Sequence, residues 1–140
     1  MKKTLLILLG LMVMAGSLFA DNRKQIKRDQ LPKAAQHYVM DNWNNVSISY
    51  IWQTIDGYTI QYTVRLVDGT MIYFNRDGGW REVKAEKVIP ESAIPASIRK
   101  DVKQRKKSLH IVAMEKKLDG YIVTLDDEST LKFDLDGNAM

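Results

Sequence analysis

The chain has 140 residues, 45% of them hydrophobic and 27% charged, with no Cys and a formal net charge of +4. That composition excludes a disordered polymer and a disulfide framework, and the length suits one ordinary domain or two very small units sharing a core. Without Lys2 and Lys3, 19 basic residues face 17 acidic ones, a balance too even to point to a polyanionic partner.

Lys2 and Lys3 precede an uncharged run from Thr4 to Ala20, and the next charge is Asp21. A basic start, an apolar stretch and small residues near its end read as a secretory signal peptide over residues 1–20. Cleavage is expected after Ala20; because Leu18 stands where a small residue is preferred, a cut after Ser17 is the alternative. The run falls just short of a spanning helix, so a membrane anchor is the weaker reading. The protein is therefore expected in the periplasm or outside the cell, with no transmembrane segment after cleavage. The lack of Cys excludes a lipid-modified cysteine after the signal.

After an N-terminal segment over 21–30, two stretches repeat one another. Leu31-Pro32 and Ile94-Pro95 lie 63 positions apart, as do Asp56-Gly57-Tyr58 and Asp119-Gly120-Tyr121. Phe74 with Asp77-Gly78 corresponds to Phe133 with Asp136-Gly137 at an offset of 59, so the second stretch has lost four residues in its central hairpin. The expected organisation is a first repeat over 31–84, a connector over 85–93 and a second repeat over 94–140 whose last strand is truncated.

Each repeat reads helix, strand, strand, strand. Ala34, Ala35, Tyr38, Val39 and Trp43 recur at helical spacing behind Pro32, predicting a helix near 32–43; Ile94, Ile98 and Val102 predict a second near 95–106. Alternation predicts about seven strands and places Val46, Ile48, Tyr50 and Trp52 on the core face. Tyr58, Ile60, Tyr62, Val64 and Leu66, then Ile72 and Phe74, take the same side. Leu109, Ile111, Ala113, Tyr121, Val123, Leu125, Leu131 and Phe133 do so in the second repeat. The opposite face then carries Ser47, Ser49, Ile51, Gln53, Thr59, Gln61, Thr63, Arg65, Met71 and Tyr73, followed by His110, Val112, Met114, Lys116, Ile122, Thr124 and Lys132. Five glycines follow Asp in tight-turn contexts, which argues for antiparallel meanders and not parallel crossovers.

A signal peptide, a Leu-Pro helix ending in an aromatic, an Asp-Gly-Tyr strand, a second Asp-Gly turn, a Phe strand and an Asp-Gly-Gly-Trp turn, largely repeated, resembles the secreted PepSY-like, or beta-lactamase-inhibitor-like, proteins of gut Bacteroidetes. The resemblance implies an α+β fold with an antiparallel sheet, helices on one face and the other face open to a partner. It also implies binding, or inhibition, of an extracytoplasmic protein. The chain departs from the inhibitor proper in having no Cys and no counterpart of Trp80-Arg81-Glu82-Val83 in the second repeat.

Catalytic constellations are absent from the sequence. A nucleophile needs a base, yet the chain has only His37 and His110, at non-equivalent positions that also make no metal cluster. Asp134-Leu135-Asp136-Gly137-Asn138 alternates oxygen donors, but a calcium loop needs Gly at its sixth position and Glu at its twelfth, and Asn75-Arg76-Asp77-Gly78-Gly79 in the first repeat reads as a plain hairpin turn. The basic cluster from Arg99 to Lys107 suits a solvated helix end more than nucleic acid. The expectation is a non-enzymatic exported binding module with neither cofactor nor metal, using Ile51, Gln61, Thr63, Arg65 and Tyr73. Trp80 joins them either as an exposed anchor or as a lid over the core edge. A structural envelope component, or an enzyme with an unrecognised carboxylate site, are the alternatives.

Overall fold

Short Asp- and Gly-containing turns between alternating segments dictate a meander, and eight strands follow one another in a single sheet of order β1 to β8, every neighbouring pair antiparallel. The computed structural model describes residues 22–140. The signal-peptide reading of 1–20 lies outside the described residues; among them no helix is long and apolar enough to cross a membrane. The strands are β1 (Arg23–Gln25), β2 (Ile48–Asp56), β3 (Thr59–Leu66), β4 (Met71–Phe74), β5 (Trp80–Lys84), β6 (Ile111–Lys117), β7 (Gly120–Leu125) and β8 (Thr130–Asp134). The expected seven become eight because β1 has three charged or polar residues and no alternation to betray it; it forms by pairing with Trp52 to Thr54.

Two helices, α1 (Lys33–Asn42) and α2 (Ala96–Arg105), lie on one face. Each follows a Pro whose fixed φ suits a helix start, and each buries a narrow stripe, Ala35 and Val39 in one and Ile98 and Val102 in the other. Below them Val64, Leu66, Ile72, Phe74, Val83, Val123, Leu125 and Phe133 are wholly buried in one continuous core. Tyr38 ties α1 to the connector and the sheet: its hydroxyl donates to the Ala93 carbonyl at 2.8 Å, and its ring meets Trp43, Phe74 and Trp80. The connector is not loose. Ala85 and Ile89 donate backbone hydrogen bonds to Val112 and Ile111, and Ile89 and Ala93 are buried.

Simple alternation fails at three register slips, in β2, β5 and β6. Ile48 stands opposite Leu66, but after a slip between Ile48 and Tyr50 the pairs become Tyr50 with Arg65, Ile51 with Val64 and Trp52 with Thr63. Directly paired residues share a face, and one extra residue inverts every side chain beyond it. Ile51 is therefore core, 3% exposed, and not on the open face, whereas Tyr50 and Trp52 are on the open face and not in the core. Gln53 also turns to the core side, where its amide reaches the Tyr62 hydroxyl at 3.4 Å. In β6 the slip between Ile111 and Ala113 buries Met114, 1% exposed, and moves Ala113 to the open face. Lys116, now opposite Tyr121, falls on the covered side by register, with its ammonium 6.0 Å from the Tyr121 ring centroid.

The two halves share further geometry. Asn75 Oδ1 accepts backbone N–H bonds from Asp77 and Gly79, and Asp134 Oδ1 accepts them from Asp136 and Asn138. Gly69 has φ +94°, and Glu128, the one non-glycine residue with positive φ among those described, has φ 73° in the corresponding turn. Tyr62 faces Phe74 as Tyr121 faces Phe133, so Tyr121 matches Tyr62 and not Tyr58. Tyr58, expected in the core, sits fully exposed in the β2–β3 turn. The hairpin of β2 and β3, with nine and eight residues, is longer than that of β6 and β7, with seven and six. Where β5 would recur, Ala139 makes a single bridge to Phe133.

Candidate binding face

The face away from the helices holds side chains by register alone, since no described element packs over it. Reading across the strands, one row runs Tyr50, Arg65, Met71, Lys84, Ala113, Thr124 and Thr130. The next runs Gln25, Trp52, Thr63, Tyr73, Glu82, Glu115, Ile122 and Lys132. Of the residues expected there, Arg65, Tyr73, Thr63 and Gln61 are in place, with Gln61 opposite Thr54. Ile51 is not, and Trp80 is not.

Trp80 pairs with Phe74 on the covered side after a slip in β4–β5, stacks on Tyr38 at 6.5 Å and meets Tyr121 at 5.9 Å. It is the lid over the core edge and not an open-face anchor. The slip aims Tyr73 and Glu82 together at the open face.

Sequence reasoning missed Tyr50, Trp52 and Arg23. The Tyr50 and Trp52 rings meet edge to face at 5.5 Å, and the Arg23 guanidinium carbon stands 4.3 Å from the Trp52 ring centroid, a cation–π geometry. The signal was the spacing of aliphatics: Ile48 and Ile51 are three apart, as are Ile111 and Met114, which strict alternation does not permit on one face.

At the centre, Glu82 stands directly opposite Glu115, with Lys84 and Lys117 as their respective ion-pair partners at 3.4 and 3.5 Å. Gln61, Tyr73, Arg81, Glu82, Glu115 and Lys116 outline a shallow cavity of about 250 Å³ there. His110 is exposed, with Nδ1 3.4 Å from Asp126 Oδ2, and His37 is exposed on α1. No group of three His, Cys, Asp or Glu side chains converges among the described residues. In the 134–138 loop Asp134 makes the bonds that neutral Asn75 makes in its own turn, so the carboxylate there locks backbone and needs no cation to do so. Much of the basic helix is tied to its surroundings: Lys103 pairs with Glu91 at 3.0 Å, Arg99 donates to the Glu91 carbonyl, and Arg105 pairs with Asp101.

Two helices on one side of an open eight-stranded antiparallel sheet, with the other side bare, define an α+β fold of the beta-lactamase-inhibitor-like type. The chain belongs to the family described as "Putative beta-lactamase-inhibitor-like, PepSY-like", whose model matches residues 19–63 and 60–140. No match is found among curated proteins. Solved structures similar to this chain include three from Bacteroides. A "putative calcium-regulated periplasmic protein" of Bacteroides thetaiotaomicron is 28% identical with a TM-score of 0.81, covering 86% of this chain and 96% of its own. A "putative periplasmic protein" of the DUF2874 family from Bacteroides vulgatus is 25% identical with a TM-score of 0.80 over the same shares. A second Bacteroides vulgatus protein, described as a "putative periplasmic protein of unknown function", is 28% identical with a TM-score of 0.76, covering 84% and 96%.

Proposed function

We propose that this protein is an exported, non-enzymatic binding module of the periplasm, built from two copies of one helix-plus-sheet unit, which holds an extracytoplasmic protein against its open sheet face. One observation carries the reading: equivalent positions of the two halves bear different chemistry on that face. Where the first half has Tyr50, Trp52, Arg65 and Tyr73, the second has Ala113, Glu115, Thr124 and Lys132, on strands paired in the same register. The second half forms its strands in the same register without these aromatics, so strand pairing does not require them. Trp, Tyr and Arg are the residues in which interface energy concentrates. The periplasmic relatives support the location, and the inhibitor-like family supports a protein partner.

The test is capture from a periplasmic extract with the exported protein as bait. A partner retained by wild type and by Lys100→Ala with Lys107→Ala, but lost by Trp52→Ala with Tyr73→Ala, is the expected result. Equal recovery by the aromatic double variant, folded by circular dichroism, rejects the face.

A further inference from the structure

Arg23 and Arg65 lie on the open face with no ion-pair partner among the described residues. The ion pairs among the described residues are Lys84–Glu82, Lys103–Glu91, Arg105–Asp101, His110–Asp126 and Lys117–Glu115, none of which involves Arg23 or Arg65. Arg65 is exposed between Tyr50 and Met71, its cross-strand neighbours on either side. Arg23 is exposed and lies over the Trp52 ring. The position equivalent to Arg65 is Thr124, so the sheet does not require a cation there.

We propose that Arg23 and Arg65, set among Tyr50, Trp52 and Tyr73, receive a carboxylate-bearing segment of the partner protein. A guanidinium offers paired donors that match a carboxylate in fork geometry, and an arginine held against an aromatic face keeps that fork oriented. The rest of the face fixes the direction of approach. Glu82 and Glu115 at the sheet centre already have Lys84 and Lys117 as ion-pair partners, whereas no ion pair among the described residues takes up Arg23 or Arg65, so the carboxylate docks over β1 to β3. This inference rests on the open face being the binding face and adds the sign of charge that the partner brings.

Two random copolymers differing only in charge, one of Glu and Tyr and one of Lys and Tyr, serve as probes in fluorescence anisotropy with the exported protein. The Glu-Tyr polymer is expected to bind about tenfold or more tightly than the Lys-Tyr polymer, and to weaken as salt rises from about 50 mM to about 300 mM. Arg23→Gln with Arg65→Gln is expected to lose that preference, while Lys100→Gln, Lys106→Gln and Lys107→Gln together, on and beside α2, leave it within about twofold. No binding of the Glu-Tyr polymer, equal binding of both polymers, or a preference abolished by the lysine variant and kept by the arginine variant each overturns the inference. If the arginine variant behaves as wild type here while the aromatic double variant still loses the captured partner, the binding face stands and only its charge assignment falls.

Discussion

Ile51 and Trp52, neighbours in sequence, point to opposite sides of the sheet in the phase set by a bulge at Ser49: Ile51 lies opposite Val64 beneath the helices, and Trp52 lies opposite Thr63 on the bare face. Truncating Ile51 to Ala removes buried methylenes and leaves a cavity, with an expected cost of about 2–5 kcal/mol. Trp52→Ala is expected to cost far less despite its larger side chain. On β4, Phe74→Ala is expected to cost about 3–5 kcal/mol and Tyr73→Ala much less. Urea melts of the four variants check the phase on both strands; a larger loss for Trp52→Ala than for Ile51→Ala would mean that the bulge is misplaced.

Turn geometry gives a second, opposite-signed pair. Gly78 has φ +92°, and a Cβ there would lie 2.9 Å from the Ala35 backbone nitrogen and from Pro32 Cβ, so Gly78→Ala drives a wedge between turn and α1. Gly57 has φ +61° with nothing within 4 Å, so Gly57→Ala carries only the backbone penalty of about 1 kcal/mol. Glu128 already bears that penalty where Gly69 stands in the first half, and Glu128→Gly is expected to stabilise by up to about 1 kcal/mol. Thermal melts should rank Gly78→Ala lowest and Glu128→Gly above wild type.

Much of this fold was legible because its turns and helix starts are local chemistry. Pro32 and Pro95, the Asp-Gly turns and the Ile98–Val102 stripe act within a few residues of themselves. The antiparallel meander and the covered face of β3, β4, β7 and β8 follow from alternation that is never interrupted. What stayed hidden is what a partner strand decides. The bulges in β2 and β6 are fixed by pairing with β3 and β7, and β1 exists only because β2 offers it a ladder. The site suffered most, since Tyr50 and Trp52 were placed inside and Ile51 outside by one uncounted residue. Trp80 could be either lid or anchor from its turn alone; the ring of Tyr38, 42 positions earlier, makes it a lid.

Burial pushes the Tyr38 hydroxyl well above the ordinary tyrosine value of 10.0. Because the folded value is raised, the folded state holds this proton more tightly. The contribution to stability is complete below pH 10 and is lost as pH rises from there toward the raised value. Tyr38→Phe removes the hydrogen bond to Ala93, with an expected cost of about 1 kcal/mol at neutral pH, and removes this part of the alkaline slope. Denaturant titrations of both proteins between neutral pH and pH 11 check it: parallel curves would show that Tyr38 does not titrate with unfolding.

The working side of the sheet is tested most directly by site-specific photo-crosslinking in cells. A benzophenone amino acid replaces Thr63 or Met71 on the bare face and, separately, Lys33 or Lys100 on the exposed side of the helices. The account predicts partner adducts from Thr63 and Met71, diminished when Trp52 and Tyr73 are Ala, and none from Lys33 or Lys100. Adducts confined to the helix positions would contradict it.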